Sequence, residues 1–281
     1  MITVGINLLL WTAKLRSDHR PLLAQLRSLG YQGVEVPFFS GSLAEAAEAG
    51  QMVRDAGLIP AMIGSLPDAA HNPLSEDPTS AAAGRAHLHW LVNCAKAMGA
   101  VSIAGPFTQP LGLFSGQAPT PAEWARLVAA HRAMADHAGP DLALMVEPLN
   151  RFECYILNTA RDAARLVAEV DRPNYRYLYD SFHAHIEEQN PVAALVQTLP
   201  AVGHLHISEN DRGTPGRGHA ALTPTLQALR DAAFSGWVSV EAFGQALPDL
   251  TAATRVWRPL FTSEIEVATE AIALIRAGLA R

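Results

Sequence analysis

The sequence predicts an α/β fold in which eight parallel strands alternate with helices and close into a (β/α)₈ (TIM) barrel. Three observations predict it. Short apolar runs of β-forming residues recur along the whole chain, segments with helical spacing lie between them, and eight such units are enough to close a parallel sheet. The predicted strands are Thr3–Leu8, Gly33–Pro37, Ile59–Ile63, Ser102–Gly105, Leu142–Glu147, Tyr175–Asp180, His204–Ser208 and Val238–Glu241.

The segments between the strands carry the helical period. Leucines 22, 23, 26 and 29 share one helix face, and so do Leu88, Leu91, Val92 and Ala95. Further helices are predicted over Leu127–His137, Ala160–Val170, Pro191–Leu199, Thr223–Ala233 and Glu264–Leu279. Glycines before the following strands predict left-handed C-terminal caps at Gly30, Gly57, Gly99 and Gly236.

One domain spanning residues 1–281 is expected, because α/β barrels commonly reach this length without dividing. An open doubly wound sheet is disfavoured, since no Gly-rich dinucleotide turn follows an early strand. The longer non-helical segments each follow a predicted strand, which places them at the carboxyl-terminal face where barrel enzymes carry their active sites. They are Ser65–Asp77, Thr108–Pro121, Glu209–His219 and Ala242–Ser263.

Composition narrows the class of protein. Apolar residues make up 49% of the chain and charged residues 17%, which is enough for a large core. No apolar run approaches the ~18 residues of a spanning helix, and Ile6–Trp11 is too short for a signal peptide. The net charge of −6 and the lack of a Lys/Arg cluster argue against nucleic acid. A cytoplasmic protein without a membrane or nucleic-acid partner is predicted, with Cys94 and Cys154 as buried free thiols.

Four predicted strands lead from an apolar run into one ionisable residue at the same rim of the barrel. These residues are Glu147, Asp180, His206 and Glu241, on strands five to eight. A single strand-end carboxylate typically caps a helix or pairs with an arginine. Three converging carboxylates repel one another, so a cation is the simplest way to satisfy them. Three oxygen donors and one imidazole suit Mn²⁺, Mg²⁺ or Co²⁺.

Other polar residues lie just beyond these strand ends. Glu153, His183 and Arg212 are predicted on loops, where they could hydrogen-bond a polyol. Arg151 and Glu209 are equally compatible with structural ion pairs, and His185 and His204 with structural histidines. Six aromatic residues are candidates for apolar walls, with Trp11 and Phe107 favoured as pocket-lining; the others are Phe38, Phe114, Phe243 and Trp257.

At these positions the sequence resembles the ketose 3-epimerases (the D-tagatose/D-allulose/L-ribulose group) of the xylose-isomerase-like barrel superfamily. The matching segments are Glu147-Pro-Leu-Asn-Arg-Phe-Glu153, Asp180-Ser-Phe-His-Ala-His-Ile-Glu-Glu188, Gly203-His-Leu-His-Ile-Ser-Glu209 and Val240-Glu241. Weaker matches are Gly5-Ile, Val34-Glu35-Val36 and Ser75-Glu-Asp77. The resemblance covers nearly the whole chain, and Asn7-Leu-Leu-Leu and the Phe107–Gly116 segment depart from it.

The resemblance implies that Glu147, Asp180, His206 and Glu241 bind one divalent metal per subunit, with Mn²⁺ preferred. It implies that Glu153, His183 and Arg212 hold the O1–O3 end of a ketose, and that the protein is a homodimer or homotetramer. The two segments that depart from the family pattern are expected to face the distal end of the sugar, so they affect which ketose is the substrate. The reaction expected is reversible inversion of C3 in free ketohexoses or ketopentoses through an enediolate. Glu147 and Glu241 would serve as acid and base on opposite faces of C3.

Three alternatives remain open from the residues. The same scaffold supports other metal-assisted reactions, such as inosose or hydroxypyruvate isomerases and keto-sugar dehydratases. An endonuclease IV-like phosphodiesterase is the second alternative; that class requires more histidine ligands and a more basic surface than this sequence offers. A non-catalytic sugar-binding barrel is the alternative outside enzymes.

Overall fold

The computed structural model describes residues 1–280, and its eight strands form a closed barrel in chain order. All neighbouring strands pair in parallel, and β8 returns to β1 through the pairs Val4–Val238 and Ile6–Val240. The strands are β1 Ile2–Asn7, β2 Gly33–Pro37, β3 Ile59–Ile63, β4 Ser102–Gly105, β5 Ala143–Val146, β6 Tyr175–Asp180, β7 Val202–Ile207 and β8 Gly236–Val240. The predicted barrel is confirmed.

Helices surround the barrel, and several of them begin at side-chain caps that the sequence encodes. Ser42 and Glu45 form a capping box at one helix, and Thr120 and Glu123 form another. The helices are α1 Arg20–Leu29, α2 Leu43–Asp55, α3 Pro78–Met98, α4 Pro121–Ala138, α5 Ala160–Val170, α6 Ser181–Glu187, α7 Pro191–Thr198, α8 Leu222–Asp231, α9 Pro248–Thr254 and α10 Glu264–Leu279.

Glycine caps were predicted correctly at three helix ends and wrongly at the fourth. Gly30, Gly57 and Gly99 have positive φ after α1, α2 and α3. After α8, however, it is Ala233 that takes the left-handed conformation, and Gly236 is the first residue of β8. A Cβ on Gly236 would lie 2.6 Å from the carbonyl oxygen of Gly203, so glycine is required there by the close approach of two strands.

Two short helices were missed because their sequences look like loops. His183 was predicted on a loop but lies in α6, which begins where the Asp180 side chain accepts the N–H of Phe182. The segment Ala242–Ser263 was predicted to be non-helical but contains α9, from Pro248 to Thr254. Both helices lie at the carboxyl-terminal face of the barrel.

Along each strand, side chains point alternately outward to the surrounding helices and inward to the barrel interior. On β6, Tyr177 and Tyr179 point outward, where their hydroxyl groups reach Thr198 Oγ1 at 2.6 Å and the Pro191 carbonyl at 2.8 Å. Leu178 and Asp180 take the opposite face. Leu178 packs inside the barrel in a small apolar cluster that also contains Leu9, Ile63, Ala104, Met145, Phe243 and Val256. Leu9, Ile63 and Phe243 of this cluster also line a cavity at the carboxyl-terminal face.

Two further observations concern the whole described chain. Within residues 1–280 no helix combines the length and the apolar character needed to span a membrane. Cys94 and Cys154 are both buried and unpaired.

Candidate metal centre and active site

The four predicted ligands converge at the carboxyl ends of β5 to β8. Asp180 ends β6, His206 lies near the end of β7, and Glu147 and Glu241 directly follow β5 and β8. One ligand atom from each of the four lies within 4.8 Å of the other three. All four side chains are buried. The closed barrel therefore brings together residues that are far apart in the chain.

The His206 ring shows that this cluster fits a cation. Its Nδ1 atom is buried and has no hydrogen-bond partner. That nitrogen faces Glu241 Oε1 at 3.3 Å, Glu147 Oε1 at 3.8 Å and Asp180 Oδ2 at 3.9 Å. Buried polar atoms are almost always satisfied, so a partnerless nitrogen among three carboxylates marks a place for a positive ion. Oxygen donors with one imidazole suit a hard or borderline divalent metal.

Arg212 supplies positive charge at the edge of the cluster. Its Nη1 donates to Asp180 Oδ2 at 3.0 Å and to Glu241 Oε2 at 2.6 Å. The guanidinium is buried and lies 3.7 Å from the centroid of the Phe182 ring. Arg212 has a φ of 67°, a conformation that non-glycine residues rarely adopt. It was predicted to contact substrate, and the structure adds that it pairs with two of the four clustered residues.

The carboxylates differ in their affinity for protons. Burial, together with Glu241 and Asp180, raises the pKa of Glu147 well above its usual range. Burial also raises the pKa of Asp180 to about 6. Burial acts in the same direction on Glu241, but His206 and Arg212 outweigh it and hold that pKa well below its usual range. Glu147 and Glu241 thus differ in proton affinity although they lie in one cluster.

Glu153 and His183 are connected through Asn150, a residue not singled out from the sequence. The Asn150 N–H donates to His183 Nδ1 at 3.0 Å, and its side-chain amide donates to Glu153 Oε1 at 2.8 Å. Arg212 Nη2, a group that can only donate, lies 3.0 Å from His183 Nε2, so donors face both ring nitrogens. Burial, with Arg212 nearby, lowers the pKa of His183 well below its usual range, so the imidazole is neutral. The ring thus connects Asn150 on one side to Arg212 on the other.

Two more polar residues were missed, and both lie inside the barrel on strands without a predicted ligand. Asn7 on β1 donates through Nδ2 to Glu241 Oε1 at 3.0 Å. Glu35 on β2 lies 2.6 Å from His204 Nε2 and 3.1 Å from His206 Nε2. Burial would raise the pKa of Glu35, but His206 and His204 hold it at about 2, so the group is a carboxylate. From the sequence, Glu35 is named only as part of the weakly matching segment Val34-Glu35-Val36.

A cavity of about 270 Å³ opens beside the cluster. Glu147, Glu153, His183, His206, Arg212 and Glu241 line one end, and the rest is mainly apolar, with Leu9, Phe39, Ile63, Leu149, Phe243 and Leu250. Helix α9 forms one wall of this cavity through Leu250, Ala253 and Thr254.

Among the predicted aromatic walls, only Phe243 lines this cavity. Trp11 packs against the core instead, and Phe107 is fully buried against His131. Phe38 stacks on Trp90 with ring centroids 5.9 Å apart, whereas its neighbour Phe39 faces the cavity. Successive residues of an extended chain point to opposite sides, and the pattern of apolar residues alone did not show which side was inside.

The ion-pair alternative holds for Arg151 but not for Glu209. Arg151 forms an exposed ion pair with Glu187, with an Nη2–Oε2 distance of 2.8 Å. Glu209 forms no ion pair; it accepts the N–H groups of Gly216 and Ala220 at 2.9 and 2.7 Å, which shapes the loop that carries Arg212.

This fold and cluster agree with the family to which the sequence belongs. A family model described as "Xylose isomerase-like TIM barrel" matches residues 23–275, so the chain belongs to the xylose isomerase-like TIM barrel family. Among curated proteins, a ketose 3-epimerase of Arthrobacter globiformis is 30% identical, covering 98% of this chain and 96% of that protein. A D-psicose 3-epimerase of Agrobacterium fabrum is also 30% identical, covering 91% and 90%.

Solved structures agree with the curated relatives. A structure of L-ribulose 3-epimerase superposes with a TM-score of 0.91 at 28% identity, covering 99% of this chain and 95% of the other. A D-psicose 3-epimerase from Clostridium cellulolyticum, solved with D-tagatose, gives a TM-score of 0.87 at 26% identity, covering 99% and 100%. The chain is thus an isomerase-class enzyme of the ketose 3-epimerase group.

Proposed function

We propose that this protein is a metal-dependent epimerase that inverts C3 of free ketohexoses or ketopentoses, with Glu147 and Glu241 as the acid–base pair. The observation that carries the proposal is the four-residue cluster, in which two glutamates flank a partnerless histidine nitrogen at the polar end of a sugar-sized cavity. The similarity to ketose 3-epimerases over the whole chain supports the substrate class.

Glu147, Asp180, His206 and Glu241 are the proposed ligands of one divalent metal, with Mn²⁺ preferred and Co²⁺ or Mg²⁺ as alternatives. When bound, the metal supplies positive charge that polarises the C2 carbonyl and stabilises the enediolate. It also compensates the three carboxylates, of which Arg212 contacts only Asp180 and Glu241 by hydrogen bonds.

Inversion requires one group to take the C3 proton and another to deliver a proton to the opposite face. Glu147 and Glu241 extend from β5 and β8, which lie on different sides of the barrel rim. A single base would return the proton to the face from which it came.

Glu153, His183 and Arg212 are the proposed contacts to the O1–O3 end of the sugar. Asn150 orients both His183 and Glu153, and Arg212 contacts the other nitrogen of the His183 ring. Arg212 presents a guanidinium that does not lose its charge. The largely apolar remainder of the cavity encloses the substrate and limits water access, which strengthens polar interactions at the reacting end.

The test is proton exchange in D₂O. Chelator-treated protein is incubated with D-fructose, D-tagatose and L-ribulose, with and without Mn²⁺, and the products are followed by NMR. We expect metal-dependent formation of the C3 epimer with deuterium at C3. Deuterium at C1 with an aldose product would identify an aldose–ketose isomerase instead, and no exchange at any carbon would refute the epimerase assignment for these sugars.

Two variants test the acid–base pair. Glu147→Gln and Glu241→Gln should each lower turnover by at least the ~10²–10⁴-fold typical of general acid–base catalysis, because one proton transfer is lost. Glu76→Gln serves as the control, because it removes a carboxylate whose side chain is 88% exposed and does not line the cavity. Near-normal activity in either active-site variant would contradict the two-base scheme. The proposed homodimer or homotetramer is checked by light scattering coupled to size-exclusion chromatography.

A further inference from the structure

Glu35 is a completely buried carboxylate that the proposed reaction does not use. It lies on β2, inside the barrel, one layer below the cluster of Glu147, Asp180, His206 and Glu241. Both of its oxygens lie 3.1 Å from His206 Nε2, and Oε1 also lies 2.6 Å from His204 Nε2. Burying a carboxylate is costly unless donors satisfy it, and two imidazoles supply them here.

The Glu35 carboxylate determines which nitrogen of His206 is free. A carboxylate can only accept, so His206 must carry a hydrogen on Nε2. The nitrogen left to bind a cation is then Nδ1, the partnerless atom that faces the three carboxylates of the cluster. The hydrogen bond and the free lone pair are thus on opposite sides of one ring.

Without Glu35 the same ring would favour the opposite arrangement. Three carboxylates around Nδ1 attract a hydrogen to that atom, and Glu241 Oε1 is only 3.3 Å away as an acceptor. A ring with its hydrogen on Nδ1 cannot bind a metal there. An acceptor on the far side of the ring holds the hydrogen on Nε2 instead and leaves Nδ1 free for the metal. Glu35 is the acceptor that His206 Nε2 contacts.

We propose that Glu35 is a positioning residue that keeps the His206 hydrogen on Nε2 and thereby presents Nδ1 to the metal. This inference rests on the proposed metal centre. His204 shares the same carboxylate and lies edge-on to His206, with ring centroids 5.4 Å apart, so it limits rotation of both groups. Glu35 does not belong to the four-residue group of ligand atoms; it forms a separate group with His204 and His206.

The first experiment measures Mn²⁺ binding from the electron paramagnetic resonance of the free ion. Glu35→Gln keeps the shape of the side chain but replaces one acceptor oxygen by a donor. We expect its affinity for Mn²⁺ to be ~10–100-fold weaker than that of the unchanged protein, as is typical when an outer hydrogen-bond partner of a metal ligand is lost. Circular dichroism and a thermal unfolding curve establish that the variant is folded.

The second experiment observes the His206 ring directly. In Mg²⁺-loaded, ¹⁵N-labelled protein, we expect a hydrogen on Nε2 with the downfield proton shift of a carboxylate-bonded N–H. In Glu35→Gln that signal should move or disappear. Asn7→Ala is the matched control, because Asn7 contacts Glu241 rather than His206; this variant should leave the His206 Nε2–H signal in place.

The outcomes separate the inference from the proposed function. If the unchanged protein does not bind Mn²⁺, the metal centre is refuted and the role of Glu35 with it. If it binds Mn²⁺ but Glu35→Gln binds within about threefold of it with an unaltered His206 signal, the role of Glu35 alone is refuted. A hydrogen on Nδ1 in the metal-loaded protein would also overturn it.

Discussion

His131 is a buried histidine whose protonation should weaken the fold in mild acid. It lies on α4 and is fully buried, with Nδ1 hydrogen-bonded to the Tyr175 hydroxyl group and its ring 5.6 Å from that of Phe107. Its Nε2 atom has no partner. Burial lowers the pKa of His131 from 6.5 to about 4, because the charged imidazolium would lie in an apolar layer.

The sign and size of the effect follow from this pKa difference. Above about pH 6.5 the histidine is neutral in both the folded and unfolded states, so it contributes no pH dependence. As the pH falls from 6.5 to 4, the unfolded chain takes up the proton and the folded chain resists it, so stability is lost. At 1.36 kcal/mol per pKa unit, the full loss is about 3 kcal/mol, of which about 2 kcal/mol falls between pH 6.5 and pH 5.

Urea unfolding at several pH values tests this reasoning. The free energy of unfolding should fall more steeply with decreasing pH in the unchanged protein than in His131→Gln, so the two should converge by about 2 kcal/mol toward pH 5. His219→Gln removes an exposed imidazole and controls for the loss of one histidine. Parallel curves for His131→Gln and the unchanged protein would refute the argument.

Three further predictions concern packing, a buried hydrogen bond and metal linkage. A Cβ on Gly50 would lie 1.8 Å from the carbonyl oxygen of Met98, so Gly50→Ala should push α2 away from α3. We expect the free energy of unfolding in urea to fall by about 2 kcal/mol or more, and an unchanged midpoint would contradict this. The Tyr31 hydroxyl group donates to the Ala268 carbonyl at 2.7 Å, so Tyr31→Phe should cost about 1 kcal/mol, and equal stability would show that the bond contributes nothing. Mn²⁺ at a hundred times its dissociation constant should stabilise the protein by about 2.7 kcal/mol, seen as a higher thermal midpoint that a chelator reverses; no shift would argue against the site.

The sequence predicted the barrel and its four-residue cluster well because both depend on local patterns. Each of Glu147, Asp180, His206 and Glu241 ends its own apolar run, and parallel strands place such ends at one rim. The bounds of β2, β3, β4 and β6 were correct for the same reason: turns and glycines punctuate short apolar runs.

The errors arise where a tertiary contact decides the structure. Glu35 has apolar neighbours on both sides, and a strand buried on both faces does not show which side chains point inward. Gly236 has the spacing of a helix cap, but the approach of Gly203 explains why it is glycine. The short helix α6, which carries His183, spans only seven residues, and its start depends on the Asp180 side chain at the end of β6.

The pairing of β1 with β8 joins the first and last strands of the barrel, and Glu241 of the cluster directly follows β8. Asn7 and Glu241 meet across 234 residues, and Glu35 and His206 across 171. During synthesis, the set of four clustered residues is therefore incomplete until the last strand has emerged. Until then β1 and β7 present unpaired edges of the kind that associate with other chains. Capture of Mn²⁺ in a refolding experiment would accordingly report barrel closure, which makes the proposed metal centre a built-in probe of the final folding step.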